Sequence, residues 1–209
     1  LPGPYLLKVT ATRNDGVIFE DKIEVEINPL NQISSYGGSN PDISDNFVVW
    51  ESSGEGIKNI HLYDLVNAAE YIIGGNNRVN VDPVISGNVA VWRNLEGNRY
   101  VRLCEFDSTN GTCPTINISY QGDVSSPAIS GNRILWSVRH AHPNLFYCEY
   151  DNGSCPQQTL VSNVSDWFYT NPDISENYAV WLSTNPVGSD RRDDLEPGQI
   201  YLYDFNEQV

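Results

Sequence analysis

Methionine is absent from the 209 residues, histidine occurs 3 times and cysteine 4 times, and 12 lysines and arginines stand against 27 aspartates and glutamates. Each scarcity excludes something. A net charge of −15 without a clustered cationic stretch lacks the material that neutralises a phosphate backbone, so nucleic acid is excluded as a partner. No run approaches the roughly 18 to 20 consecutive apolar residues that span a bilayer, and no basic segment followed by an apolar one opens the chain. A Gly-rich phosphate loop, a nucleophile elbow and a His-Glu-x-x-His helix are also missing. The reading is of a non-enzymatic protein with no cofactor. Leu1 is expected to mark a processing site or the edge of a longer chain, with any secretion signal upstream.

What is present is a core-forming composition, 40% hydrophobic and 11% aromatic, which indicates a globular chain. Within it a phrase recurs: PDISDNFVVW (Pro41 to Trp50), PVISGNVAVW (Pro83 to Trp92), PAISGNRILW (Pro127 to Trp136) and PDISENYAVW (Pro172 to Trp181). The tryptophans are 42, 44 and 45 residues apart, and Pro stands nine positions before Trp in every copy. Physically the phrase reads as a β-hairpin: a short strand through Ile, a tight turn at Asp-Asn, Gly-Asn or Glu-Asn, and an apolar strand ending at Trp. Asn is expected to take the left-handed turn position. Pro is expected at the first strand position, where no donor is needed.

A second hairpin follows each phrase, its first strand ending in an aromatic residue and Asp: Tyr63-Asp64, Phe106-Asp107, Tyr150-Asp151 and Tyr203-Asp204. By this alignment His61 matches Cys104, Cys148 and Tyr201. A fourth strand is expected around 71–73, 115–119 and 159–162. Four antiparallel strands every 42 to 45 residues define an all-β chain of β-propeller blades, about four of them. The repeated phrase, followed by Ile-Tyr-Leu-Tyr-Asp at 200–204, resembles the TolB-like β-propeller repeats of archaeal and bacterial secreted and cell-surface proteins. The resemblance covers about residues 31 to 209, implies the fold, and carries no catalytic residue over.

Residues 29–209 are thus the propeller repeats, centred on Trp50, Trp92, Trp136 and Trp181. Gln32 to Tyr36 is expected as an outer strand that completes the last blade, which stops after its third strand. Three closures stay open: a ring of four, an array continuing in a longer chain, or a second copy supplying blades. Residues 1–28 read as a separate hairpin of 5–13 and 17–27 about Asn14-Asp15-Gly16, resembling the end of an immunoglobulin-like or PKD-type domain.

Cys104/Cys113 and Cys148/Cys155 occupy equivalent places in successive blades. Disulfides across each outer hairpin fit the spacing, and the loop-entropy relation gives about 2.5 kcal/mol each as an upper figure. A four-cysteine zinc site is the alternative, without the Cys-x-x-Cys knuckle spacing. Disulfides imply an oxidising compartment, hence an extracellular or cell-surface location. Sequons at Asn110, Asn117, Asn152 and Asn163 agree with a glycoprotein, although Asn110 and Asn152 are explained equally by turns.

Ligand-binding candidates lie on the loops that a propeller gathers on one face. Trp167, Phe168 and Tyr169 form a candidate aromatic patch, against the plainer reading of rim packing. Arg139, His140 and His142, with a metal-capable His-x-His, and Arg191 and Arg192 join them. Asp190, Asp193, Asp194 and Glu196 are calcium candidates without EF-hand spacing. Seven of nine Lys/Arg in the propeller region lie in or beside these loops, yet as many acids accompany them, which describes a solvated face of mixed charge. The function expected is an extracellular structural or adhesive interaction module of a larger surface protein, with a protein or glycan partner. The alternatives are a substrate-binding accessory domain of a secreted enzyme, or a subunit of a filament assembled by strand addition.

Overall fold

The computed structural model describes residues 5–12, 15–16, 18–25, 31–35, 37–54, 57–75, 79–97, 99–119, 122–125, 127–138, 144–161, 168–184 and 198–207. The chain divides into two compact units, Leu1–Ser35 and Tyr36–Val209. The first holds a two-stranded antiparallel sheet of β1 (Tyr5–Thr12) and β2 (Ile18–Val25), paired from Tyr5↔Val25 to Thr12↔Ile18. Gly16 takes a φ of 84° in the turn, a conformation open to glycine at no steric cost.

The second unit consists of four antiparallel sheets, each a blade, with no helix among the described residues. Blade one is β3 (Gly38–Ser44), β4 (Phe47–Gly54), β5 (Ile57–Asp64) and β6 (Ala69–Ile72). Blade two is β7 (Asn80–Ser86), β8 (Val89–Asn94), β9 (Tyr100–Glu105) and β10 (Thr115–Asn117). Blade three is β11 (Ala128–Ser130), β12 (Arg133–Val138), β13 (Asn144–Glu149) and β14 (Gln158–Val161). Blade four is β15 (Phe168–Ser175), β16 (Tyr178–Thr184) and β17 (Gln199–Asp204). Its sheet has three strands, ordered β15-β16-β17. Residues 31–35 carry no strand, so the outer strand expected at Gln32 to Tyr36 is not formed among the described residues.

The repeated phrase acquires a residue-by-residue meaning. Ser44↔Phe47, Ser86↔Val89, Ser130↔Arg133 and Ser175↔Tyr178 pair across two-residue turns. The left-handed residue is the first of the turn, not the Asn: Asp45, Gly87, Gly131 and Glu176 have φ of 50°, 57°, 58° and 36°. Positive φ at the first central position alone is the II′ arrangement, which suits the twist of a hairpin. The Asn backbone carbonyl instead accepts the N–H of Leu65, Phe106, Tyr150 or Phe205 at 2.7 to 2.8 Å, holding the third strand to the turn.

Pro is the first strand residue in none of the blades: Pro127 stands just before β11, and in the other three the strand starts ahead of Pro. β3, β7 and β15 begin three or four residues earlier, and the ladder shifts register at Ser39/Asp42, Val81/Val84 and Thr170/Asp173. Pro41, Pro83 and Pro172 sit in these bulges, each preceded by a left-handed residue, Asn40, Asp82 or Asn171 at φ 50°, 52° and 48°. A bulge leaves one residue outside the ladder, and a residue with no donor fits there.

Ser links blades. Ser44 Oγ accepts the Gly87 N–H, Ser86 Oγ accepts that of Gly131, and Ser130 Oγ accepts that of Glu176, all at 2.9 Å. Alternation puts two different faces on each sheet. One face bears Trp and small or branched neighbours, the other aliphatic residues, and the Trp face of each blade packs on the aliphatic face of the blade before it. Val49, Ile60, Leu62 and Ile73 of blade one meet Ile85, Ala90, Trp92 and Phe106 of blade two. Val91, Val101, Leu103 and Ile118 then meet Ile134, Trp136 and Cys148. Leu135 and Leu145 meet Ile174, Ala179, Trp181 and Phe205.

Across β4/β5, β8/β9, β12/β13 and β16/β17, each Trp stands opposite a flat side chain: Trp50↔His61, Trp92↔Arg102, Trp136↔Phe146 and Trp181↔Tyr201. Three of these pairs stack, with ring centroids 5.6, 6.2 and 5.9 Å apart. His61 therefore corresponds to Arg102, Phe146 and Tyr201, and the cysteine alignment is corrected. The Asp alignment shifts as well: Asp64 and Asp204 pair at the place of Glu105 and Glu149, two residues before Asp107 and Asp151.

Candidate functional site

Most side chains singled out from the sequence as binding candidates lie outside the described residues: Trp167, Arg139, His140, His142, Arg191, Arg192, Asp190, Asp193, Asp194, Glu196 and the sequon residue Asn163. Phe168 begins β15, and only its backbone is described. Tyr169 is 8% exposed, packs in the third core cluster, and its carbonyl accepts the Ser137 hydroxyl at 2.7 Å. Burial raises its phenol above the ordinary value. Rim packing describes this ring. Among the described residues no three His, Cys, Asp or Glu side chains gather as metal ligands.

Cys104–Cys113 and Cys148–Cys155 are disulfides, each with Cα atoms 5.3 Å apart, so the zinc alternative is discarded. They pin the outer hairpins of blades two and three, and between these hairpins runs a groove of about 610 Å³. Its lining includes Asn88, Glu105, Asp107, Ser108, Thr112, Tyr150 and Asn152. None of its lining side chains is a lysine or arginine.

Each wall is set by local chemistry. Asp107 closes the first hairpin: Oδ1 accepts the Thr109 N–H at 2.9 Å and hydroxyl at 2.6 Å, and Oδ2 accepts Asn110 Nδ2 at 2.7 Å. Those bonds, Thr109 foremost, hold its carboxyl below the usual range. Asn110 Oδ1 in turn accepts the Thr112 N–H at 2.9 Å. The second wall is the turn Asp151 to Ser154, with Asn152 and Gly153 at φ 44° and 84°, the left-handed pair that a type I′ turn requires. Across the floor the Tyr150 hydroxyl donates to Glu105 Oε2 at 2.8 Å, and Asn88 Nδ2 donates to the Phe106 carbonyl at 3.0 Å. Burial and the Glu105 carboxylate both raise the Tyr150 phenol, which therefore stays a neutral donor.

Asn110, Asn117 and Asn152 are exposed. Both polar atoms of Asn110 are engaged within its turn, as the turn reading expects.

A second polar constellation lies on blade one. Ser52 Oγ is 2.6 Å from His61 Nε2, and His61 Nδ1 is 2.7 Å from Glu70 Oε1. This is the order of a hydroxyl, a base and an orienting acid. Ser52 and His61 are each 5% exposed, and the imidazole is stacked on Trp50. With the hydroxyl closed off, the relay ties β4, β5 and β6 together and sets the ring against Trp50. Nearby charges are paired too: Lys58 with Glu51, Arg93 with Asp82, Arg99 with Asp123 and Arg133 with Glu149.

The fold has solved counterparts. No protein-family model matches the chain, and no curated protein matches it. TolB from Acinetobacter baumannii superposes with a TM-score of 0.57 at 14% identity, over 99% of this chain and 51% of that one. The β-propeller domain of the Trilobed protease from Pyrococcus furiosus, described as an open velcro topology, gives 0.55 at 12% identity over 99% of this chain and 71% of that domain. Prolyl oligopeptidase B from Galerina marginata gives 0.57 at 9% identity, over 81% of this chain and 26% of that enzyme. The chain spans about half the length of the TolB it resembles. At these identities the likeness establishes the fold: a TolB-like β-propeller module. Two disulfides fit a non-cytoplasmic compartment.

Proposed function

We propose that this propeller is a non-enzymatic recognition module of a larger extracellular protein, and that it binds through the groove between the outer hairpins of blades two and three. The supporting observation is the construction of the groove. Its two walls are loops of the kind that vary freely, yet each is closed by a disulfide and by hydrogen bonds within its turn, so the binding geometry is set before a partner arrives. Its lining offers hydroxyls, amides, two carboxylates and the Tyr150 ring. That chemistry favours a neutral or amino-bearing glycan and disfavours sulfated or sialylated ones. Residues 1–28 then represent the end of a preceding immunoglobulin-like domain that displays the module from the cell surface.

A glycan array probed with the intact chain tests this. Retention of neutral or amino sugars, lost in Glu105→Gln and Ser108→Ala, supports the reading. Retention of acidic glycans alone, or binding unchanged by both substitutions, overturns it.

A further inference from the structure

Three Asn-x-Ser/Thr sequons fall on described residues, and the fold treats them differently. The acceptor chemistry needs an available side-chain amide at Asn and a reachable hydroxyl two residues on. At Asn110-Gly111-Thr112 both are engaged: Nδ2 of Asn110 donates to Asp107 Oδ2 at 2.7 Å, and the Thr112 hydroxyl donates to Asn110 Oδ1. At Asn117-Ile118-Ser119 the Asn is exposed on β10, but Ser119 is buried and its Oγ accepts the Val101 N–H at 2.8 Å, so the hydroxyl belongs to the blade. Asn152-Gly153-Ser154 differs in each respect. All three residues are exposed, and neither the Asn152 amide nor the Ser154 hydroxyl makes a hydrogen bond among the described residues. The backbone that presents them is fixed: Asp151 and Ser154 exchange both N–H···O bonds, at 2.8 and 2.9 Å, and the Cys148–Cys155 disulfide closes the hairpin. Asn152 also lines the groove between the outer hairpins of blades two and three, together with Ser108, Thr112 and Tyr150.

We propose that Asn152 is the N-glycosylation site of the folded chain and that the glycan it carries covers the groove. In the transfer, Nδ2 of Asn152 attacks the anomeric carbon of a polyprenyl phosphate-linked or pyrophosphate-linked oligosaccharide. The bond from Nδ2 to that carbon forms, the bond from the carbon to the phosphate oxygen breaks, the lipid phosphate leaves with the electron pair, and Nδ2 releases one proton. At Asn110 the attacking nitrogen is held by Asp107, and at Asn117 the recognised hydroxyl is buried, whereas at Asn152 no hydrogen bond among the described residues has to break. A first sugar on Nδ2 starts from the wall of a groove of about 610 Å³ whose lining offers hydroxyls, amides and the Tyr150 ring, groups that pair with sugar hydroxyls. The covering rests on the reading of this groove as a sugar site. An attached glycan competes there with an external one at high effective concentration, because its tether begins inside the site. The glycosylated chain is then the closed form of the module and the unmodified chain the open one.

Secretion of the intact chain from a host that attaches N-glycans, with a control glycoprotein secreted alongside, tests both parts by peptide mass mapping and by the same glycan array. The comparison is Ser154→Ala, which destroys the sequon without touching the groove lining or any hydrogen bond among the described residues. The expected result is a glycan at Asn152 and none at Asn110 or Asn117, with array retention lost in the glycosylated chain and regained in Ser154→Ala. Asn152 bare while the control is modified, or Asn110 and Asn117 occupied to the same extent as Asn152, overturns the site. Equal retention by the glycosylated chain and by Ser154→Ala overturns the covering. Should Ser154→Ala retain no sugar, the groove reading fails and the covering with it, while the mass map still decides the site.

Discussion

The hydroxyl of Ser86 accepts the backbone N–H of Gly131 at 2.9 Å, carrying a hydrogen bond from the end of one blade's inner strand to the turn of the next. The same serine of the repeated phrase makes the bond in blades one and three, so a residue that looks like a turn former is an inter-blade tie.

Removing one tie leaves a turn N–H without its partner. Ser44→Ala, whose bond is partly buried, is expected to cost about 1 kcal/mol, and Ser130→Ala, at a more exposed bond, somewhat less. For a chain of this size that is a fall of roughly 2 to 4 °C in melting temperature. Ser175→Ala, at the copy with no such bond among the described residues, is expected to change nothing. Thermal denaturation of the three variants checks the order, and an equal loss in all three would mean the serine acts within its own blade.

The repeated tryptophans are equivalent in register but not in hydrogen bonding. Trp92 Nε1 donates to Asn80 Oδ1 at 3.1 Å, and Asn80 is held by Asn94 Nδ2 at 3.1 Å and by its own bond to the Gly74 carbonyl at 2.8 Å. Trp136 Nε1 is buried without a partner. Phenylalanine removes ring volume at either site, but at position 92 it also takes one of two donors from the buried Asn80 Oδ1, whereas at 136 it removes an unsatisfied donor. Trp92→Phe is therefore expected to lose about 1 kcal/mol more than Trp136→Phe in urea denaturation.

The blades were legible because the hydrophobic and turn patterns repeat together every 42 to 45 residues. Periodicity of this kind survives uncertainty about any single strand. The extension of the inner strands back beyond Pro was not legible, since a bulge interrupts alternation and places a left-handed residue before proline, as at Asp82-Pro83. The turn aspartates misled for a different reason. Asp64 and Asp107 do the same work, accepting N–H and side-chain donors two and three residues on, but from positions two residues apart in register. The groove was visible only through its cysteine pairs, because Asn88, Glu105 and Tyr150 come together from two blades and no local spacing announces them.

The two disulfides are expected to contribute unequally but similarly. Their partners are 9 and 7 residues apart, and the loop-entropy relation gives about 2.5 kcal/mol for each as an upper figure, slightly more for Cys104–Cys113. Cys104 and Cys148 are also buried in the blade cores, so alanine is the apt replacement. Cys104→Ala with Cys113→Ala should reduce stability by about 2 to 3 kcal/mol and loosen one wall of the groove. Denaturant unfolding measures the first effect, and hydrogen exchange at Thr109 and Thr112 the second.

Glu51 links acid sensitivity to the first blade interface. It is buried, and burial alone would raise its carboxyl, but the Ser39 hydroxyl at 2.8 Å, the Asp82 N–H at 3.1 Å and the Lys58 ammonium at 3.2 Å outweigh that and hold it below the ordinary 4.5. The folded chain therefore releases this proton more readily than the unfolded one. The resulting stabilisation is fully present above pH 4.5 and is lost as the pH falls through the lowered folded value. Asp64, held down by Asn67 and Val66 against its own burial, works in the same direction. Glu51→Gln keeps the shape but removes the charge, so at pH 7 it is expected to lose roughly 1.5 to 3 kcal/mol, the range for hydrogen bonds to a charged group. The deficit relative to the parent chain should shrink steadily as the pH is lowered below 4.5, because the parent loses the same charge by protonation. Urea denaturation at a series of pH values measures that difference directly. A deficit that stays constant down to the acid limit would show that the Asp82 and Ser39 bonds, rather than the ionised carboxylate, carry the contribution.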